Sequence, residues 1–166
     1  MPMEPNQESI ALDKLDFDIL KALQEDGRKS FTDIARELEV SVGTIRNRYN
    51  RLVENKLLYV YGRVDPNNIG FNAYAHIYIA VRPASLIESV AKTIAEYPEV
   101  SFLALVSGDF ELELNVMCRD NNHLLQLMND RLHRLDGVYQ TRTTMYLKLY
   151  KLAQPDLDLV EPSSSR

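Results

Sequence analysis

The chain has one cysteine, Cys118, in 166 residues. No disulfide framework and no thiolate metal site can therefore be built within it, and a reducing compartment is its natural setting. No apolar run approaches the roughly 18 residues of a membrane span, and the opening MPMEPNQES lacks the charge-then-apolar order of a signal peptide, so a cytoplasmic protein with no membrane partner is expected. Positive charge is not in excess either. With 19 basic and 24 acidic residues the net charge is −5, which argues against coating nucleic acid by bulk charge but leaves room for a local basic surface. Nucleophile elbow, phosphate loop and paired-carboxylate motifs are missing, and His76, His123 and His133 share no metal-ligand spacing. An enzyme, a metal site and a resident cofactor are not expected, and Cys118, with no evident base nearby, reads as an inert thiol.

A more local gap carries information. From Val40 to Val53 there is no carboxylate, yet the window EVSVGTIRNRYNRL holds Arg46, Arg48 and Arg51. Placed at about 100° per residue, Val42, Ile45, Tyr49, Leu52 and Val53 form an inward stripe. Gly43, Thr44, Asn47, Asn50 and Arg51 lie opposite it, and Arg46 and Arg48 project to the flanks. Short and amide-bearing side chains facing outward suit base edges, and flanking guanidinium groups suit the phosphate walls of a major groove. Taken alone, the same pattern also fits an ordinary solvated helix face.

Its neighbours favour the groove. Leu12, Leu15, Ile19 and Leu23 mark a first helix with Asp13 and Asp16 in its opening turn. Ser30 and Asp33 open a second as a capping box, running to about Glu39 with Ile34, Ala35 and Leu38 inward. Ser41 is placed to cap the third. Three helices, the last two joined by a short turn, make a helix-turn-helix, and the alternating LLYVYGRVD after Lys56 would form a small β wing. Arg28, Lys29 and Arg63 are candidate extra phosphate contacts. The N-terminal part is itself slightly acidic, which favours site-specific, dimer-assisted binding.

The expected domains are a winged helix-turn-helix over 10–63, a linker over 64–72 (VDPNNIGFN), and a βαββαβ domain over 73–152, with disordered tails at 1–9 and 153–166. The later domain reads as strand 73–82, helix 85–97 opened by a Ser85/Glu88 capping box, strand 100–107, strand 110–117, helix 121–135 and strand 138–151. The class is α+β, with a ferredoxin-like sheet. Leu112, Leu114 and Val116 alternate with Glu111, Glu113 and Asn115, so one face of the sheet is buried. The first strand is apolar or aromatic on both faces, which predicts that a second copy covers its outer face.

These residues together resemble the Lrp/AsnC family of bacterial and archaeal transcription regulators, over about Leu12 to Leu152. The matching stretches are LDKLDFDILKALQEDGRKSFTDIARELEVSVGTIRNRYNRL, GRVDPNNIGFNAYAHIYIAV, VSFLALVSGDFELEL and GVYQTRTTMYLKLYK. The resemblance implies a winged helix-turn-helix followed by a ligand-sensing βαββαβ (RAM) domain, in dimers that assemble into tetramers or octamers and bind a small amino acid or related metabolite as effector. It implies DNA contacts by Ser41, Thr44, Asn47, Arg48 and Arg51, to which the flank position on the helix adds Arg46, and two such helices in a dimer predict double-stranded, pseudo-palindromic sites. It implies an effector cleft at Ser107, Gly108, Asp109 and Phe110, with Thr141, Thr143 and Met145 nearby. By pattern alone the Gly108-Asp109 pair is also a plain hairpin turn. Two departures stand out. Glu39 occupies the usual glycine position before the recognition helix, and Asn55-Lys56 ends that helix, with Asn55 expected to take the left-handed conformation. Two rival readings remain, an architectural DNA binder without effector and a ligand-binding or enzymatic ferredoxin-like domain whose helical half docks a partner.

Overall fold

The computed structural model describes residues 11–160; the expected tail over 1–9, like the end of the chain beyond 160, lies outside them. Two compact units are present, one formed by the described residues up to Gly62 with those from Leu152 on, the other by Arg63–Lys151.

In the first unit, α1 (Lys14–Glu25), α2 (Phe31–Glu37) and α3 (Val42–Glu54) form as their caps dictate. Asp13 accepts the Asp16 amide and Asp16 accepts the Asp13 amide, a reciprocal box at the head of α1. Ser30 accepts the Asp33 amide, but its hydroxyl donates to the Asp33 carboxylate instead of completing a box. The three helices close on Ile19, Ile34, Ile45 and Leu52, all fully buried; truncating any one to Ala costs about 2–5 kcal/mol.

Both departures of the sequence become visible in the backbone. After α2, Glu39 sits at φ +55 while the Val40 amide reaches the Ala35 carbonyl, a Schellman turn built without glycine. At the end of α3 the left-handed residue is Lys56 (φ +58), not Asn55, which remains at φ −88. The Leu57 amide bonds the Leu52 carbonyl and the Lys56 amide that of Val53, and this bonding pattern fixes the left-handed position one residue later.

The expected β wing is not formed. Residues 57–65 belong to no helix and no ladder, and Tyr59, Val60, Tyr61 and Val64 are exposed. Nor is the described part of the expected C-terminal tail structureless. Asp156 caps a 3₁₀ turn over Leu157–Leu159, Asp158 pairs with Lys21 at 2.6 Å, and the Pro155 carbonyl accepts from Gln24 of α1. Two polar side chains of α1 supply what the apolar pattern of the tail lacks.

The second unit runs β1 (Ala73–Val81), α4 (Ile87–Ala95), β2 (Val100–Leu105), β3 (Leu112–Cys118), α5 (Asn121–Gln126) and β4 (Val138–Met145). The antiparallel sheet has the order β2-β3-β1-β4 of a ferredoxin-like βαββαβ fold. Alternation on β3 buries Leu112, Leu114, Val116 and Cys118 against Val90 and Ile94 of α4 and Leu124 of α5, beside Ala75, Ile77 and Ile79 of β1. Three details differ from the sequence reading. Ser85 caps nothing: a 3₁₀ turn (Ala84–Leu86) precedes α4. The second helix is α only to Gln126 and continues as a π turn and a 3₁₀ turn to Arg134. The ladder of the last strand ends at Met145, followed by one amide bond from Tyr146 to the Tyr74 carbonyl, short of residue 151.

Candidate functional site

The side chains of α3 divide between two tasks. Asp16 of α1 is fully buried, and a buried carboxylate is costly unless its charge and lone pairs are met. Arg51 Nη2 meets it at 2.5 Å and Arg48 Nη1 lies 3.2 Å from both of its oxygens, while the same Arg48 nitrogen donates to Asp13 at 2.7 Å. The expectation that Arg48 guards a flank and Arg51 faces outward is therefore corrected: both turn back to α1. The helical wheel fixes where a side chain leaves the helix, whereas the guanidinium at the end of a long stem goes where a buried anion draws it. Burial acts to raise the Asp13 carboxyl, but the Asp16 amide and Arg48 outweigh it and hold it below the usual carboxylate value. Hydrogen bonding to Asp13 is the main cause that raises Arg48 in turn.

What remains outward is small and free. The side chains of Arg46 and Asn47 are exposed and make no hydrogen bond or ion pair among the described residues. Ser41 caps the helix through the Thr44 amide at 3.0 Å, and the two hydroxyls lie 2.8 Å apart, exposed at the helix N-terminus. Of the further basic candidates, Lys29 is taken by Glu37 at 2.5 Å, while Arg28 and Arg63 are exposed.

On the sheet, the turn Ser107–Phe110 borders a cavity of about 200 Å³ lined by Tyr78, Val106, Ser107, Asp109, Phe110 and Arg142. Gly108 at its tip has φ +129, a conformation that disfavours any other residue. The turn is pinned at its base, where Val106 donates to the Glu111 carbonyl, Glu111 donates to the Ile79 carbonyl, and the Glu111 carboxylate accepts the Val81 amide.

Thr141, Thr143 and Met145 do not join this cavity within the chain. They stand opposite Ile79, Ile77 and Ala75, on the helix-covered face, where Thr141 meets His133 at 2.9 Å and Thr143 donates to the Met128 sulfur at 3.8 Å. The pleat places Arg142, opposite Tyr78, on the cavity side instead. Arg142 and Tyr78 are the residues that sequence reasoning missed; strand parity combined with the β1–β4 register is the signal that identifies them.

The outer sheet face carries a row of half-buried rings. Tyr146 lies 4.5 Å from Tyr74, His76 lies 4.4 Å from Tyr78, and His76 Nε2 is 3.2 Å from Glu113. Burial pushes the Cys118 thiol up to about 11, helped by Glu99 and Asp120, which fits an inert thiol. Among the described residues no cluster of metal-ligating side chains occurs, and no helix is long and apolar enough to cross a membrane.

Two family models match the chain along its length: the AsnC-type helix-turn-helix domain over residues 12–53 and the Lrp/AsnC ligand binding domain over residues 72–155. The chain belongs to the Lrp/AsnC family. An HTH-type transcriptional regulator of Pyrococcus abyssi, itself uncharacterized, is 32% identical over 86% of this chain and 90% of its own length. The HTH-type transcriptional regulator Ptr1 of Methanocaldococcus jannaschii is 30% identical over 84% of this chain and 95% of its own. The fold is shared with E. coli AsnC, at a TM-score of 0.84 and 22% identity over 88% of this chain and 99% of that one. A Neisseria meningitidis regulator solved as an L-Met complex superposes at 0.83, with 24% identity over 90% of this chain and 99% of that one. This Lrp/AsnC chain is thus a transcriptional regulator with a helix-turn-helix domain and a ligand-binding domain, a class whose named relatives are regulators and not enzymes.

Proposed function

We propose that the protein reads pseudo-palindromic double-stranded DNA as a homo-oligomer and that a small amino acid held at the Ser107–Phe110 turn adjusts that binding. The observation that carries the first half is the outward face of α3. Asn47 and Arg46 are exposed with no intrachain partner, beside the Ser41 and Thr44 hydroxyls at the helix N-terminus. Thr44 and Asn47 read base edges, Ser41 and Arg46 hold phosphate, and Arg48 and Arg51 set the angle of α3 through Asp16.

The rings of Tyr74, His76 and Tyr146 on the outer sheet face support dimerisation with a second copy, the Tyr78 end of the row being left to the cavity, and such dimers would assemble further into tetramers or octamers. The effector reading is supported by the cavity beside the turn and by the L-Met bound to the Neisseria relative. An effector of this kind changes DNA affinity through a coupling free energy of about 1–3 kcal/mol.

Selection of bound duplexes from a random pool tests the DNA reading. Enrichment of two inverted half-sites, their centres about 34–36 Å apart or a multiple of that, is expected. A pool that shows no half-site repeat contradicts it.

A further inference from the structure

The cavity beside the Ser107–Phe110 turn presents more ways to hold negative charge than positive. The amides of Ser107, Gly108, Asp109 and Phe110 have no acceptor among the described residues. Successive unspent amides at a tight turn are groups that suit an anion. A second anion-holding group lines the same cavity. The Arg142 guanidinium stacks 4.5 Å from the centre of the Tyr78 ring and 5.0 Å from that of Phe110, with no carboxylate partner and no hydrogen bond among the described residues. The nearby carboxylates are differently placed. Glu111 accepts the Val81 amide and Glu113 faces His76, so neither neutralises Arg142. One carboxylate lines the cavity itself, Asp109, and it too makes no ion pair.

Two anion-holding sets and one cation-holding group around about 200 Å³ define a ligand by charge. We infer that this cavity takes an α-amino acid with a second carboxylate, of the aspartate and glutamate class. The α-carboxylate lies on the turn amides, the ammonium group on Asp109 and the side-chain carboxylate on Arg142. Size agrees, because the cavity equals the liquid volume of about six or seven waters and so suits a ligand of some ten heavy atoms. The two rings prepay part of the arrangement by holding the guanidinium in place, leaving its planar fork free for bidentate contact with a carboxylate.

This inference rests on the effector reading, and calorimetric titration of the full chain separates the two. L-Glutamate, L-aspartate, L-glutamine and L-leucine are titrated into the native protein and into Arg142→Gln. Glutamate or aspartate is expected to bind at least tenfold more tightly than glutamine, and Arg142→Gln is expected to abolish that ratio while glutamine binding persists. Glutamine or leucine binding as tightly as the diacids leaves the effector reading standing and overturns the charge assignment. Failure of every amino acid to bind overturns both. Sedimentation of Arg142→Gln guards the fold: an altered oligomer together with an unchanged glutamate-to-glutamine ratio places Arg142 in subunit packing and also overturns the inference.

Discussion

Arg51 and Arg142 are chemically the same side chain in two units of one chain, and they are employed in opposite ways. In the helical unit a fully buried carboxylate, Asp16, claims Arg51 and Arg48, so their charge is consumed internally. In the sheet unit no carboxylate claims Arg142, and two aromatic rings hold it ready at a cavity. The employment of an arginine is thus set by whether a desolvated anion lies within reach, because a buried carboxylate must be paired and a solvated one need not be. Arg46, on the same α3, shows the second employment: it is exposed, and no group among the described residues claims it.

The sharpest way to break this contrast is to remove the anion. Asp16→Ala leaves two guanidinium groups without their buried partner and dismantles the box at the head of α1, and a loss of about 3–5 kcal/mol in chemical denaturation of the helical unit is expected. A loss below about 1 kcal/mol would mean that the pair is incidental. Glu39→Gly has the opposite sign. It relieves a left-handed non-glycine residue in the α2–α3 turn, and a gain of about 1 kcal/mol in the same assay is expected; destabilisation would show that Glu39 makes a contact of value there.

Acid sharpens the contrast further. Asp33, held down mainly by the Ser30 hydroxyl and also by Arg36, has a folded value below the ordinary 3.8, and so has Asp13. A lowered folded value contributes stability that is present above about 3.8 and lost as pH falls through the folded value. Acid titration followed by circular dichroism should therefore show helix loss beginning below about pH 4, and Asp13→Asn should weaken that dependence. Helix content that is flat between pH 4 and pH 2 would contradict it.

Much of the architecture was legible in local pattern. The spacing of Ile19, Ile34, Ile45 and Leu52 and the alternation of Leu112, Leu114 and Val116 repeat at the periods of their elements, and those residues form the two cores. The tertiary choices were not legible. Arg48 and Arg51 find Asp16 across 32 and 35 residues, a pairing no helical wheel contains. Met145 and Thr144 belong to opposite faces, and only the register of β4 on β1 says which; the irregularity between Ala80 and Val81 is invisible in the sequence. The alternation of LLYVYGRVD is a strand pattern, but a strand also needs a partner, and among the described residues none pairs with it.

The claim that α3 reads DNA with its outward residues while Arg48 and Arg51 position it is tested most directly by the salt dependence of specific DNA affinity. Arg46→Ala is expected to lower the slope of log K against log salt by about 1, and Asn47→Ala to keep the slope while costing about 1–3 kcal/mol of discrimination between sites. An Arg46→Ala protein with native slope and affinity would contradict the account.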